Sequence, residues 1–268
     1  MIEMSTIIRV LIPVVSMAGL GLIFGVGLAY ALKIFNIEVD PTLALLISKL
    51  PGSNCGACGA AGCAGFAEML KKGEMSPSGC AVSNTEGRQA LAKILGVDFE
   101  HKVKHAAVVL CNGGAAARDR FVYKGIANCQ AASLVFGGQK ACVYGCLGFG
   151  DCAKVCPFGA ITMGEDGLPK ISLEKCTACG KCVKICSKKI LTLIPADKHF
   201  YVKCSFRDIG ALVSKVCASG CIACRKCEKA CPRQAIRVET NLARIDYKQC
   251  QNIGACSEAC PTRVIKKQ

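Results

Sequence analysis

At 268 residues, with 34 Lys and Arg against 19 Asp and Glu, the chain carries a formal charge of +15 and contains no Trp. The length allows two or three small domains, and units of a few dozen residues bury too little apolar surface to be held by a hydrophobic core alone. The 23 cysteines are odd in number and fall in short, regular spacings, which excludes a secreted disulfide framework and places the chain in a reducing compartment, the cytoplasm, where thiolates stay free for metal. With only 5 Tyr and with basic residues scattered between the cysteines, there is no stacking platform for bases. Nucleic acid is excluded as a partner on this ground, and a basic surface is matched to an acidic protein.

From the N-terminus, Val10 to Leu32 contains no charged residue, is flanked by Arg9 and Lys33, and is long enough to cross a bilayer as one helix. Ala29-Tyr30-Ala31 resembles a signal-peptidase site, but the apolar run is longer than a signal core, and export would separate the cysteines from the cytoplasm. The reading is an uncleaved single-pass anchor, with the cysteine-rich part in the cytoplasm. Gly19, Gly21, Gly25 and Gly27 either let another membrane helix approach or reflect ordinary glycine use in such helices. Asp40-Pro41 then starts a helix, and the apolar segment Leu43 to Leu50 stops at Pro51.

Cys55, Cys58 and Cys63 follow in a glycine-rich loop, with Cys80 after Ser76-Pro77-Ser78-Gly79. Glycines let the backbone approach a cluster and point N–H groups at its sulfurs. Phe66 to Lys72 reads as a helix closed by Gly73, and the four cysteines form a separate one-cluster module. Ser83-Asn84-Thr85-Glu86 has capping-box form before a helix that Gly96 can end. Val103 to Cys111 is valine-rich and predicts a buried strand ending at Gly113-Gly114. Cys111 and Cys129 lie outside any motif; ligation and burial as small core residues both remain open for them.

Cys176-x2-Cys179-x2-Cys182-x3-Cys186 has the spacing of an iron–sulfur ferredoxin, in which three thiolates hold one cubane and the fourth reaches the neighbouring one. The motif before it is incomplete. Counting back from Cys156-Pro157 gives Cys152, then Phe149 where a cysteine belongs, then Cys146, with Cys142 just upstream as a substitute. The expected ligand sets are Cys142, Cys146, Cys152 and Cys186 for one cluster, and Cys156, Cys176, Cys179 and Cys182 for the other. A second such unit opens at Cys221-x2-Cys224-x2-Cys227-x3-Cys231-Pro232, with Cys221, Cys224, Cys227 and Cys260 as one complete set. Cys231, Cys250 and Cys256 supply only three ligands to the last cluster, because Ile253 occupies the second ligand position of the final motif. A three-iron cluster, a four-iron cluster completed by Cys204 or Cys217, and no cluster are all open there. Structural zinc is the alternative to all of these sets, but four evenly spaced cysteines followed by Pro make a poor zinc ribbon. His101, His105 and His199 have no ligand-like spacing, and no nucleophilic triad, P-loop or dinucleotide fingerprint is present, so no catalytic residue is assigned.

The Cys55 to Cys80 module resembles the small iron–sulfur domain of corrinoid iron–sulfur proteins and of the Rnf-complex B subunit. With the membrane helix, that module and the Lys140-Ala-Cys-Val-Tyr-Gly-Cys-Leu-Gly-Phe-Gly-Asp-Cys run in this order, nearly the whole chain resembles the long form of the Rnf B family. The expected fold is α+β: a membrane anchor helix at 1–33, a four-cysteine [4Fe-4S] module at 34–98, and two bacterial-ferredoxin-like two-cluster units in tandem at 99–200 and 201–268. The resemblance implies about five [4Fe-4S] clusters in a membrane complex that moves electrons from reduced ferredoxin to NAD⁺ and couples the flow to Na⁺ or H⁺ translocation. Its partners would be ferredoxin and the membrane and flavin subunits of that complex. An iron–sulfur component of a corrinoid or one-carbon enzyme is the other class, and it would require a corrinoid-binding domain for which no stretch is left.

Overall fold

In the computed structural model, which describes residues 4–34, 40–98 and 103–268, the uncharged N-terminal run lies within a single helix, α1 (Met4–Ile34), that also takes in Arg9 and Lys33. Leu11–Ile34 is apolar and unburied along its length, as a helix meant for lipid rather than for a protein core would be. The chain divides into two units, Met1–Leu45 and Leu46–Gln268. The expected boundaries at 33/34 and 98/99 adjoin residues 35–39 and 99–102, which with His101 lie outside the described residues.

Helix α2 (Pro41–Lys49) starts where Asp40 Oδ1 accepts the Thr42 N–H at 2.9 Å, with Pro41 in the first turn, where the missing donor costs nothing. Helix α3 (Gly62–Lys71), a 3-10 turn at Pro77–Gly79 and helix α4 (Thr85–Leu95) complete the four-cysteine module around Leu46, Phe66 and Leu91, all fully buried. The cap of α4 is Asn84 rather than Ser83: Asn84 Oδ1 accepts the Gly87 N–H at 2.8 Å, while Ser83 is buried. Gly96, at φ +65°, ends the helix in the left-handed conformation that glycine adopts at little cost.

The remainder is one pattern used twice. The first unit contains β1 (His105–Val109), α5 (Cys129–Leu134), α6 (Asp151–Lys154), β2 (Ile161–Met163), β3 (Pro169–Ile171), α7 (Lys181–Ile185) and β4 (Leu191–Pro195). The second contains β5 (Phe200–Val202), α8 (Gly210–Val216), α9 (Lys226–Ala230), β6 (Ile236–Glu239), β7 (Leu242–Ile245), α10 (Ala255–Glu258) and β8 (Ile265–Lys267). In each, the first and last strands pair antiparallel and the inner two form a hairpin: β1 with β4 and β2 with β3, then β5 with β8 and β6 with β7. The expected boundary at 200/201 therefore falls inside β5. Short helices pack in pairs, α6 on α7 and α9 on α10, and the last cysteine of one motif shares a cavity with the first three of its partner, Cys156 with Cys176, Cys179 and Cys182, and Cys260 with Cys221, Cys224 and Cys227.

The duplication extends to single dihedrals. Gly150, Gly180, Arg225 and Gly254 each precede one of these four helices in the left-handed region. Gly159, Lys189, Gln234 and Arg263 adopt the same hand three residues after the last cysteine of each motif. Four motifs thus share one backbone turn, and the turn persists at the two motifs in which Phe149 and Ile253 replace a cysteine.

Candidate metal centres

All 23 cysteines are free of disulfides, and twenty of them line five cavities in groups of four. Cys55, Cys58, Cys63 and Cys80 line a cavity of about 330 Å³ in the module. Its loop is set by Asn54, whose Oδ1 accepts the Cys63 N–H at 2.8 Å. A Cβ on Gly62 would stand 3.0 Å from that same oxygen, and the residue sits at φ +86°, so a side chain at the turn into α3 would be both crowded and strained. Burial raises the Cys80 thiol pKa, opposed by the N–H groups of Ser83 and Val82 that face its sulfur.

In the first ferredoxin-like unit, Cys156, Cys176, Cys179 and Cys182 line a cavity of about 340 Å³ with Phe158, Ile161 and Leu193. In the second, Cys221, Cys224, Cys227 and Cys260 line one of about 310 Å³. The two are built alike: the Ala160 N–H points at Cys156 Sγ and the Val264 N–H at Cys260 Sγ, each at 3.4 Å and each from four residues downstream. Burial pushes Cys182 up to about 12, with Cys176, Cys179 and Cys152 adding, and Cys227 up to about 11. Cys260 goes the other way. Burial would raise its pKa, but the Val264 N–H, the Thr262 hydroxyl and neighbouring amides favour its thiolate and the net shift is downward.

The other set of the first unit differs from the sequence expectation. Cys146, Cys152 and Cys186 line a cavity of about 380 Å³, but their fourth companion is Cys129, not Cys142. Cys129 opens α5, where Asp151 Oδ2 accepts its N–H at 2.8 Å and Ser187 Oγ donates to its carbonyl at 3.1 Å. These two bonds hold a segment remote in sequence against the motif. The sequence sign of this was the gap itself, since a motif missing a ligand at Phe149 leaves room for an unplaced cysteine. Phe149 instead packs edge-on against Tyr123, with ring centroids 5.6 Å apart. Cys142 lies in a fifth cavity with Cys111, Cys204 and Cys217. Burial pushes Cys142 up to about 12, and those same three thiols add to it.

Cys231, Cys250 and Cys256 remain as a set of three. Burial raises the Cys256 thiol, with Cys231 and Cys250 contributing as neighbours, and Ile253, at the missing position, is 57% exposed. Completion of this set by Cys204 or Cys217, open in the sequence, is not what the fold provides, because both line the Cys111 cavity.

These sets suit a polynuclear group rather than one ion. A tetrahedral zinc with Zn–S bonds of about 2.3 Å needs its sulfurs within about 4 Å of each other, and among the described residues no three His, Cys, Asp or Glu side chains converge in that way. Four thiols around an apolar space, with amides aimed at the sulfurs, are the donor set of a cubane. Burial favours the protonated thiol at ten of the cysteines, with at least one in each of these sets, so metal binding there releases protons.

Comparison with known proteins agrees with this arrangement. The family described as "Putative Fe-S cluster" matches residues 50–82, and the 4Fe-4S dicluster domain family matches residues 141–190 and 220–264. The B subunit of the Na(+)-translocating ferredoxin:NAD(+) oxidoreductase complex of Acetobacterium woodii is 44% identical over 96% of this chain and 77% of its own length. The B subunit of the proton-translocating ferredoxin:NAD(+) oxidoreductase complex of Clostridium ljungdahlii is 43% identical over 98% of this chain and 93% of its own length. The B subunit of the ion-translocating oxidoreductase complex of Methanosarcina acetivorans is 40% identical over 93% of this chain and 95% of its own length. Identity of this order, along most of the length of each pair, means that the chain belongs to the family of B subunits of the ion-translocating ferredoxin:NAD⁺ oxidoreductase (Rnf) complexes and is an iron–sulfur electron-transfer subunit.

Proposed function

We propose that the chain takes electrons from a reduced, acidic ferredoxin and relays them toward NAD⁺ through five clusters: one in the module and two in each ferredoxin-like unit. The ligands are Cys55, Cys58, Cys63 and Cys80; Cys156, Cys176, Cys179 and Cys182; Cys129, Cys146, Cys152 and Cys186; Cys221, Cys224, Cys227 and Cys260; and the three thiolates of Cys231, Cys250 and Cys256. Clusters so held supply one-electron acceptance and donation, and the chain's own residues set burial, hydrogen bonding to sulfur and access.

The observation that carries the docking reading is exposure. Of the 23 cysteines, Cys224 alone is exposed, and it is followed by the exposed cations Arg225 and Lys226. A donor must come close to a cluster to deliver an electron, and charge complementarity speeds that encounter. Lys184 and Lys189 are exposed on the first unit, whereas Lys188 is tied by its Nζ to the Val143 carbonyl at 2.7 Å and is poorly placed for docking. The anchor α1 crosses the membrane once and keeps the clusters on the cytoplasmic side, alongside the other subunits of the complex.

The test is NADH formation from enzymatically reduced ferredoxin in membranes that contain or lack the chain, with and without sodium. Activity that disappears with the chain supports the assignment, and sodium stimulation identifies the coupled ion; unchanged activity defeats it. Replacing Arg225 and Lys226 together by Glu is expected to slow electron uptake about tenfold at low salt and far less at high salt.

A further inference from the structure

We propose that Cys111, Cys142, Cys204 and Cys217 hold a further iron–sulfur cluster, seated where the two ferredoxin-like units meet. The four thiols come from four separate segments: the end of β1, the approach to the first motif, the strand exit after β5, and the end of α8. No motif spacing links them. They nevertheless line one common cavity, as the cysteines of the four other sets of four each do. The aromatic rings of Tyr144 and Phe206, edge to face at 5.6 Å, lie in its wall.

The segments are fixed to one another by backbone and side-chain bonds, not merely adjacent. Ser205 Oγ donates to the Leu110 carbonyl at 2.8 Å, next to Cys204 and Cys111 respectively. The Arg118 N–H bonds the Val216 carbonyl at 3.1 Å, and Ala117 bridges Cys217 across the same contact. The Ala141 N–H bonds the Arg118 carbonyl at 2.8 Å, which brings Cys142 to the same place. Lys140 Nζ binds the carbonyls of Gly114 and Ala117 at 3.2 and 3.3 Å and pairs with Asp119 at 3.1 Å, holding the loop that carries these contacts.

Two features separate this site from a chance gathering of small core residues. First, space is kept clear around the sulfurs. Gly113 has φ −73°, which any residue can adopt, but a Cβ there would stand 3.3 Å from Cys217 Sγ and 3.0 Å from the Ala117 Cβ. Second, amides are aimed at the sulfurs, as in the other sets. The Cys146 N–H points at Cys111 Sγ at 3.4 Å, and the N–H groups of Cys221 and Phe206 point at Cys204 Sγ at 3.4 and 3.5 Å. Donors directed at sulfur favour thiolates and bound clusters, whereas ordinary core thiols do not need them.

The donors also fix the location. Cys146 lines a cavity of the first unit and Cys221 a cavity of the second. The new site is therefore one hydrogen bond from a cluster ligand on either side, and it makes the two units one continuous carrier. That role rests on the electron-transfer reading above; the presence of the cluster does not.

The test uses the full-length chain prepared anaerobically with its clusters. Cys111→Ser and Cys204→Ser, which alter opposite units, should each lower iron and acid-labile sulfide by about four per chain, and the double variant should lose no more than either alone. Unchanged iron in both single variants would overturn the proposal. Because a variant can misfold, the unaltered holoprotein is examined as well, by iron-edge anomalous scattering or its cryo-EM map. Iron density between the four sulfurs supports the site; an empty cavity, or zinc in it, overturns it. Neither readout involves ferredoxin oxidation, so failure here is distinct from failure of the proposed function.

Discussion

The two ferredoxin-like units have the same defect and resolve it differently. Each has a motif in which the second cysteine is missing, at Phe149 in the first unit and Ile253 in the second, and each keeps the surrounding turn, with Gly150 and Gly254 in the same left-handed conformation. In the first unit a residue from outside the motif, Cys129, is bound in place by Asp151 and Ser187 and restores a set of four. In the second unit Cys231, Cys250 and Cys256 remain three, and the residue at the missing position, Ile253, is exposed to solvent. A ligand set is thus a property of the space around a turn and not of the motif that makes the turn.

The largest effect expected from this comparison is at Cys129. Cys129→Ser should remove about four iron atoms per chain and loosen the first unit, since the cluster is part of what holds a domain this small. Cys142→Ser should leave that cluster in place, and equal loss of its spectroscopic signature in both variants would break the comparison. Adding Phe149→Cys to Cys129→Ser should return the iron by restoring the motif ligand, because the turn around position 149 matches the complete motifs.

A smaller gain is expected in the second unit. Ile253→Cys should complete the set of Cys231, Cys250 and Cys256 and raise iron by about one atom per chain, read as conversion of a three-iron to a four-iron signal by electron paramagnetic resonance. No change in iron or signal would mean that position 253 does not face the cluster.

The smallest effect concerns the shared turn. A Cβ at Gly180 meets nothing within 4 Å, yet the residue sits at φ +76°. Gly180→Ala should therefore cost about 1 kcal/mol through backbone conformation alone, measured as a shift in denaturant midpoint of the holoprotein. Arg225, the one non-glycine at the equivalent positions, shows that the turn tolerates a side chain. A cost well above about 2 kcal/mol at Gly180 would exceed the usual left-handed penalty and mean that the two turns are not equivalent.

How much of this was legible in advance follows the range of the interactions involved. Local features were readable because their causes lie within a few residues. The uncharged run predicts α1, Asp40-Pro41 predicts the start of α2, and Cys-x2-Cys spacing brings Cys176, Cys179 and Cys182 onto one tight loop. At the cap of α4, Ser83 and Asn84 both carry a side-chain oxygen able to accept from the first turn, and the fold buries Ser83 and gives the cap to Asn84. The placement of Cys142 with Cys146, Cys152 and Cys186 differed from the structure for another reason. Nearness in sequence stood in for nearness in space, while Cys142 packs with the core of the second unit among Cys204, Phe206 and Cys221.

The sequence by itself determined that this chain is a carrier of iron–sulfur clusters with an apolar helix long enough to span a bilayer, because ligand type, motif spacing and helix length are encoded locally. Only the tertiary structure decided which cysteines share a cavity when no motif joins them. Cys129, and the quartet of Cys111, Cys142, Cys204 and Cys217, are assembled by hydrogen bonds across dozens of residues and by the pairing of strands from opposite ends of each unit. Those contacts join residues far apart in the chain, and no short window of sequence records them.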